Sequence, residues 1–145
     1  MGGGIKKDKK FIKKIYGQIK QGKNQLFVVD DKFGTPTYTK DFSEAMLKII
    51  PTGYYGLYNQ VCNGGGNRLD VAREFIALLG LSKEVKIVSV KSDFFGKEYS
   101  APRPYSEKLV NFKLNNRDLN FMRDWKESLR DYTQEFREDY YKKDN

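Results

Sequence analysis

The stretch that decides the fold is Asp30-Asp31-Lys32-Phe33-Gly34-Thr35-Pro36-Thr37-Tyr38-Thr39-Lys40-Asp41. Residues 26–29, which precede it, are apolar and rich in β-branched side chains, and this composition predicts a buried strand. Apolar residues at helical spacing follow it, namely Phe42, Ala45, Met46 and Ile49. The stretch therefore predicts a strand-to-helix connection, in which Gly34 allows a turn with positive φ and Pro36 holds Thr35 in an extended conformation.

The rest of the chain predicts three or four short strands and four helices. The predicted strands are residues 26–29, 56–62 and 85–90, and the apolar stripes of the predicted helices cover residues 11–19, 42–49, 69–79 and 125–136. Residues 137–145 are charged, and we expect this tail to fray. This order predicts an α/β fold, a small mixed layer of short strands and helices without room for a full doubly wound sheet.

Length and composition predict a single domain over residues 1–145, since 39% of the residues are apolar and 14% are aromatic. Cys62, the single cysteine, cannot form an internal disulfide, which favours a reducing, cytoplasmic location. The chain has no histidine, so a Cys–His nucleophile and a histidine-based metal site are excluded. We therefore predict a packing role for Cys62 and no metal. No apolar run approaches the length of a membrane span.

The basic charge is concentrated at the beginning of the chain. Residues 5–23 contain eight lysines and one acid, Asp8, so this segment contributes +7 of the net charge of +8. A basic nucleic-acid-binding module is one reading of this charge. The confinement of the lysines to one predicted helix favours instead a solvated helix face or a local patch that meets an anion.

Two further motifs contain backbone or side-chain groups that could bind a phosphate. Gly64-Gly65-Gly66 comes before the third long helix, but Asn67 and Asp70 have the spacing of a helix cap rather than of a phosphate-binding loop. Arg103 stands between two prolines, which stiffen the backbone around it. Such an arginine suits a bidentate contact with a phosphate or carboxylate, although a surface arginine in a proline-rich connection is equally compatible.

The motif Val29-Asp30-Asp31, followed by residues 33–38 and by Asp41-Phe42-x-Glu44-Ala45, resembles the extended short-chain dehydrogenase/reductases. It is most similar to the dTDP-4-dehydrorhamnose reductase branch, for which residues 101–109 are also characteristic. The resemblance extends over residues 4–132, and its motifs and elements follow one another in the same order as in the family. It covers only the second, sugar-nucleotide half of the family's proteins.

The resemblance implies the C-terminal part of a Rossmann-type reductase, and it implies a nucleotide sugar, a dTDP-sugar, as the ligand. The implied ligand-binding residues are Arg103, Lys9, Lys10, Gly34, Thr35, Pro36, Thr37 and Tyr38. Arg103 would meet the diphosphate, and the two lysines lie near the start of a helix, where anions are attracted.

The family uses NAD(P)H, but its glycine-rich segment and its catalytic Tyr–Lys pair belong to the other half. We therefore expect a truncated chain that binds no cofactor, supplies no catalytic residue and is inactive alone. Tyr16 and Lys20 match the catalytic spacing, but Tyr16 falls on an apolar stripe and is predicted to pack. The expected partners are a separate N-terminal dinucleotide-binding half or a second copy of the chain. A non-catalytic interaction or dimerisation domain is a further alternative.

Overall fold

A computed structural model describes residues 1–96 and 104–142. The helices of these residues are Gly4–Lys7 (α1), Phe11–Lys20 (α2), Thr39–Ile49 (α3), Arg68–Leu79 (α4), Phe112–Asn115 (α5) and Trp125–Tyr141 (α6). The strands are Gln25–Val29 (β1), Phe33–Gly34 (β2), Gly66–Asn67 (β3) and Lys86–Val90 (β4). Short 3₁₀ turns occur at Ile50–Thr52 and Ser92–Phe95. The mixed α/β class predicted from the sequence is confirmed.

The strands form two small sheets. β1 and β4 are parallel, in a register that pairs Gln25 with Lys86 and Val29 with Val90. Parallel strands need a crossover, and α4 supplies it by packing against β1. β2 and β3 form a two-residue antiparallel ladder that pairs Gly34 with Gly66. Gly34 therefore lies in a strand rather than in the positive-φ turn expected from the sequence.

The core lies between α2, α4 and α6. Phe136 of α6 is fully buried, and the rings of Tyr16, Phe75 and Tyr132 meet it edge-on with centroids 5.1, 5.6 and 5.3 Å away. Edge-to-face rings at these distances add to the gain from apolar burial. Tyr16 is thus a packing residue, as predicted, and its hydroxyl donates to Asp139. The expected packing role of Cys62 is also confirmed, because its side chain is buried.

α3 is attached to α6 through a buried carboxylate. Asp41 accepts a hydrogen bond from Ser128 Oγ at 2.5 Å and an ion pair from Arg123 at 2.6 Å. The other side of the Arg123 guanidinium meets Asp131 at 2.7 Å. Hydrogen bonds to Asp41 and then to Asp131 raise the pKa of Arg123, so the guanidinium keeps its charge.

One prediction of secondary structure is wrong. Residues 56–62 form no strand within the described chain, because a strand needs a partner and none of the described strands pairs with them. α6 continues to Tyr141, and the Tyr141 hydroxyl donates to Leu79 O at 2.9 Å; the fraying of residues 137–145 stays a prediction. Residues 143–145 lie outside the described chain.

Candidate functional site

A cleft of about 410 Å³ opens between the start of α2, the β2 loop and the start of α4. Its volume falls within the range of about 300–1,000 Å³ that small-molecule sites occupy. Lys10 and Phe11 line one wall, Gly34 and Pro36 a second, and Arg68 a third. A site built from three separate elements is positioned by the whole fold rather than by one loop.

The β2 ladder brings these walls together. Phe33 pairs with Asn67, the residue just before α4, so the β2 loop lies beside the start of that helix. On its other side, the Phe33 N–H donates to Tyr105 O at 2.8 Å, and the Glu107 N–H donates to Phe33 O at 2.9 Å. Pro104, which precedes Tyr105, also lines the cleft. A two-residue strand therefore holds three chain segments around one cavity.

Three cationic side chains line the cleft, from three different elements. They are Lys10 before α2, Lys32 before β2 and Arg68 at the start of α4. Lys32 Nζ lies 4.4 Å from the centre of the Tyr105 ring, and Arg68 Cζ lies 6.0 Å from the centre of the Phe11 ring. These cation–π contacts hold cationic groups against aromatic surface at the cleft wall.

The N-terminus of α2 faces the same cleft. Its N-cap is Lys10, which provides no side-chain cap, and its first turn contains no acidic residue. Amides at a helix N-terminus carry a partial positive charge that attracts anions. Asp8 fixes this end of the helix, because its buried carboxylate accepts from Lys10 N–H at 2.7 Å and from Tyr132 Oη at 2.5 Å. Burial, and then the bond to Asp8, raise the pKa of Tyr132.

Four of the predicted ligand-binding residues line the cleft, namely Lys10, Gly34, Thr35 and Pro36. Arg103 lies outside the described residues. The role of Arg103 and the ligand contacts of the four residues that line the cleft stay predictions.

Lys9, Thr37 and Tyr38 do not line the cleft, so the structure does not bring them together with these four residues. Thr37 is used by the fold, since its hydroxyl donates to Thr35 O at 3.1 Å and accepts from Cys62 N–H at 3.3 Å. The Tyr38 ring packs on the Tyr132 ring with centroids 5.4 Å apart. Burial raises the pKa of Tyr38, and the Glu135 carboxylate raises it further.

Sequence reasoning missed Lys32, Arg68 and Phe11 as cleft residues. Lys32 belongs to the stretch of residues 30–41 that precedes α3. Its position two residues before Gly34 is the sequence signal that could have placed it in the cleft. Arg68 follows the three-glycine stretch that was interpreted only as a helix cap. The cap itself is confirmed, because Asn67 and Asp70 exchange hydrogen bonds of 2.9 and 2.8 Å.

Among residues 1–96 and 104–142, no group of three or more histidine, cysteine, aspartate or glutamate side chains could hold a metal ion. No helix of these residues has the length and apolar character needed to cross a bilayer.

Residues 5–138 match the family described as RmlD substrate binding domain. The chain is 33% identical over 121 residues to the spore coat polysaccharide biosynthesis protein SpsK of Bacillus subtilis, covering 81% of this chain and 40% of that protein. It superposes on a dTDP-4-dehydrorhamnose reductase from Yersinia enterocolitica with a TM-score of 0.82 and 31% identity, covering 94% of this chain and 46% of that one.

A dTDP-4-dehydrorhamnose reductase from Bacillus anthracis, solved in complex with NADP, gives a TM-score of 0.78 at 25% identity, with 88% of this chain and 43% of that one covered. The chain thus spans less than half the length of each of these proteins.

The three-glycine stretch before α4 does not fit the NADP that this relative holds. Dinucleotide binding needs a full strand that leads through a glycine-rich turn to a free helix N-terminus. Here the three glycines lead to α4 through β3, a strand of only two residues. The capping box of Asn67 and Asp70 already uses polar groups at the start of α4. This glycine stretch serves helix packing and capping.

Proposed function

This chain belongs to the RmlD substrate binding domain family, and we propose that its cleft binds a nucleotide sugar of the dTDP-sugar class. The observation that carries the proposal is the convergence of Lys10, Lys32 and Arg68 with the N-terminus of α2, whose N-cap residue provides no side-chain cap, on one cavity. A diphosphate carries the negative charge that such a cavity attracts. The apolar surface of Phe11 and Val71 beside it suits the less polar parts of a nucleotide.

In this proposal the diphosphate lies over the first turn of α2. Lys10 and the helix amides meet it from one side, and Arg68 meets it from the start of α4. Lys32 and the Gly34–Pro36 backbone line the opposite wall. Arg103 is proposed, on the family resemblance, as a further diphosphate contact. Pro104, the next residue in the chain, lines the cleft.

The chain alone is proposed to have no reductase activity. Hydride transfer needs a nicotinamide placed against the substrate carbonyl, and the three-glycine stretch before α4 does not fit that cofactor. The proposed partner is therefore a dinucleotide-binding half supplied by additional sequence or by another chain. A mixture of this chain, NADPH and a dTDP-4-dehydro-sugar is expected to show no loss of the NADPH absorbance.

The experiment that tests ligand binding is an isothermal titration of the purified chain with dTDP, dTDP-rhamnose and NADPH. We expect saturable binding of the two thymidine nucleotides and no response to NADPH. Lys10→Ala and Arg68→Ala are each expected to weaken dTDP binding about tenfold, the loss of one charge-assisted contact of about 1.4 kcal/mol.

Lys14→Ala is the matched control, because Lys14 is an exposed lysine of the same helix that does not line the cleft. It removes the same charge from the chain and is expected to leave dTDP binding within about twofold of wild type. Equal weakening by Lys10→Ala and Lys14→Ala would show that only general basic charge attracts the nucleotide. The proposed site would then be wrong.

A further inference from the structure

The outer side of α2 carries lysines that the proposed ligand does not use. One stripe of the helix lies within about 120° of its circumference, at about 100° per residue. It consists of Lys13, Lys14, Gly17 and Lys20 and is called the lysine face below. The opposite side of α2 is buried in the core and consists of Ile12, Ile15, Tyr16 and Ile19. Because that side packs inward, the fold turns the lysine face outward.

Carboxylates offset only part of this charge. Residues 5–23 contain eight lysines and one acid, Asp8, whose carboxylate is buried. On α6, Asp139 lies 3.6 Å from Lys20 Nζ, and Glu135 accepts a hydrogen bond from a backbone amide of α1. An exposed ion pair such as Lys20–Asp139 stabilises a fold only slightly. The surface formed by α1 and α2 therefore stays strongly positive.

Gly17 lies at the centre of the lysine face and has no packing role there. A Cβ at this position would meet open space. Glycine inside a helix is less stabilising than alanine, so the helix itself gains nothing from it. The missing side chain lets an external surface approach the helix between the three lysines. The arrangement suits a partner that lies flat against α2.

The chemistry of the lysine face favours a lipid surface over a nucleic acid. None of its four residues is an arginine or an aromatic residue. Nucleic-acid sites use arginine for bidentate contacts with bases and phosphates, and aromatic rings for stacking on bases. Lysine ammonium groups are compact and strongly hydrated, and clusters of them on an amphipathic helix attract the headgroups of anionic lipids.

We infer that the lysine face of α2 adsorbs to the surface of a bilayer rich in anionic phospholipids. The helix lies parallel to the bilayer, and its lysines meet the headgroup phosphates. Lys6, Lys7 and Lys9 are also exposed, and they continue the positive charge beyond the start of α2. The apolar side of α2 belongs to the core, so the helix does not insert and the attraction is electrostatic. The inference does not depend on nucleotide binding in the cleft.

The test is co-sedimentation of the purified chain with lipid vesicles. One set of vesicles contains phosphatidylcholine with about one-third phosphatidylglycerol, and the other contains phosphatidylcholine alone. We expect binding to the anionic vesicles only. Because salt screens exposed charges, raising the salt from about 0.05 M to about 0.3 M is expected to weaken binding at least about tenfold.

Gly17→Glu and Gly17→Gln form a matched pair that differs by one charge at the centre of the lysine face. Both side chains have room, since a Cβ there meets open space. Gly17→Glu is expected to bind anionic vesicles about fivefold more weakly than Gly17→Gln, which is the effect of about one lysine near an anionic surface. Equal binding by the two variants would overturn the inference.

A second pair of variants compares two positions for the same loss of charge. Lys13→Ala with Lys14→Ala is expected to weaken vesicle binding at least about tenfold. Lys40→Ala with Lys48→Ala removes two exposed lysines of α3 and is expected to stay within about twofold of wild type. Equal losses would show that general basic charge, and not the lysine face, attracts the lipid. Circular dichroism checks that each variant is folded.

Two further outcomes would overturn the inference. One is the absence of binding to anionic vesicles by the folded wild-type chain. The other is displacement of the chain from the vesicles by duplex DNA at equal phosphate concentration, because the preferred ligand would then be a nucleic acid.

The dTDP titration separates this inference from the proposed function. Lys13 and Lys14 do not line the cleft, so their double variant is expected to bind dTDP like the wild-type chain. Vesicle binding that fails while dTDP binding persists rejects the lysine face and leaves the cleft proposal standing. The reverse result rejects the cleft proposal alone.

Discussion

α6 and α3 are both amphipathic helices, but among the described residues only α6 has its apolar side covered. On α6, Trp125, Leu129, Tyr132 and Phe136 are all buried. On α3, Ala45 is buried, whereas Phe42 and Met46 remain exposed on the same face. A helix is stabilised mainly by the packing of its apolar face. The contrast indicates that α6 completes the core of the described residues, whereas much of the apolar face of α3 stays exposed among them.

The largest expected loss of stability comes from a substitution in α6, the helix whose apolar face is covered. Phe136→Ala is predicted to lower the free energy of unfolding by about 3–5 kcal/mol, because it leaves a cavity among three aromatic rings. Phe42→Ala on α3 is expected to cost only about 1 kcal/mol, since part of that side chain is already in water. Urea unfolding of the two variants measures both values. Equal losses would remove the distinction between the two helices.

The next largest loss of stability is expected at Asp41, which links α3 to α6. Asp41→Ala is predicted to cost about 1.5–3 kcal/mol, because it removes charge-assisted bonds to Arg123 and Ser128 in a buried site. Asp131→Ala breaks the other contact of the same guanidinium at an exposed position, and we expect a loss of about 0–1 kcal/mol. Thermal unfolding followed by circular dichroism compares the two. A larger loss in Asp131→Ala would contradict the assignment of Asp41 as the attachment of α3.

Alkaline pH provides a weaker perturbation of the covered face. Burial and hydrogen bonds to carboxylates raise the pKa of Tyr16 and of Tyr132 in the folded chain. Their contribution to stability is present below about pH 10, where unfolded tyrosine is protonated, and is lost as the pH rises above that value. Urea unfolding between pH 8 and pH 11 should therefore show falling stability, more gently in Tyr132→Phe than in wild type. An unchanged slope in that variant would count against the shifted pKa.

The smallest change in stability is expected when a charged side chain is placed on the exposed apolar face of α3. Met46→Lys is predicted to change the free energy of unfolding by no more than about 0.5 kcal/mol, because the side chain already meets solvent. Chemical unfolding checks this value. A loss of several kcal/mol would show that Met46 packs into the core, and this face of α3 would not be exposed.

Most of the helices were predictable because their signals are local. The periodic stripes of α2, α4 and α6 and the Asn67 cap need only neighbouring residues. The predicted strand at residues 56–62 failed because a strand depends on a partner elsewhere. The continuation of α6 to Tyr141 has no local signal either, since the hydrogen bond from Tyr141 to Leu79 joins residues far apart in sequence.

The residues that line the cleft were predictable in part. Gly34 and Pro36 belong to a recognisable motif, and Lys10 lies at a helix start that periodicity defines. Lys9 is one residue away but does not line the cleft, because one step along the chain turns a side chain in another direction. Arg68 reaches the cleft through the pairing of β2 with β3, and that pairing has no signal in either two-residue strand.

The measurement that tests the central claim most directly is a map of backbone amide shifts on titrating the ¹⁵N-labelled chain with dTDP. Binding in the cleft predicts saturable shifts at Phe11, Ile12, Gly34 and Thr35, with Phe42, Met46 and Leu57, which do not line the cleft, unchanged. Shifts confined to those three residues, or no saturable shift in a folded chain, would contradict the claim that this cleft holds the nucleotide.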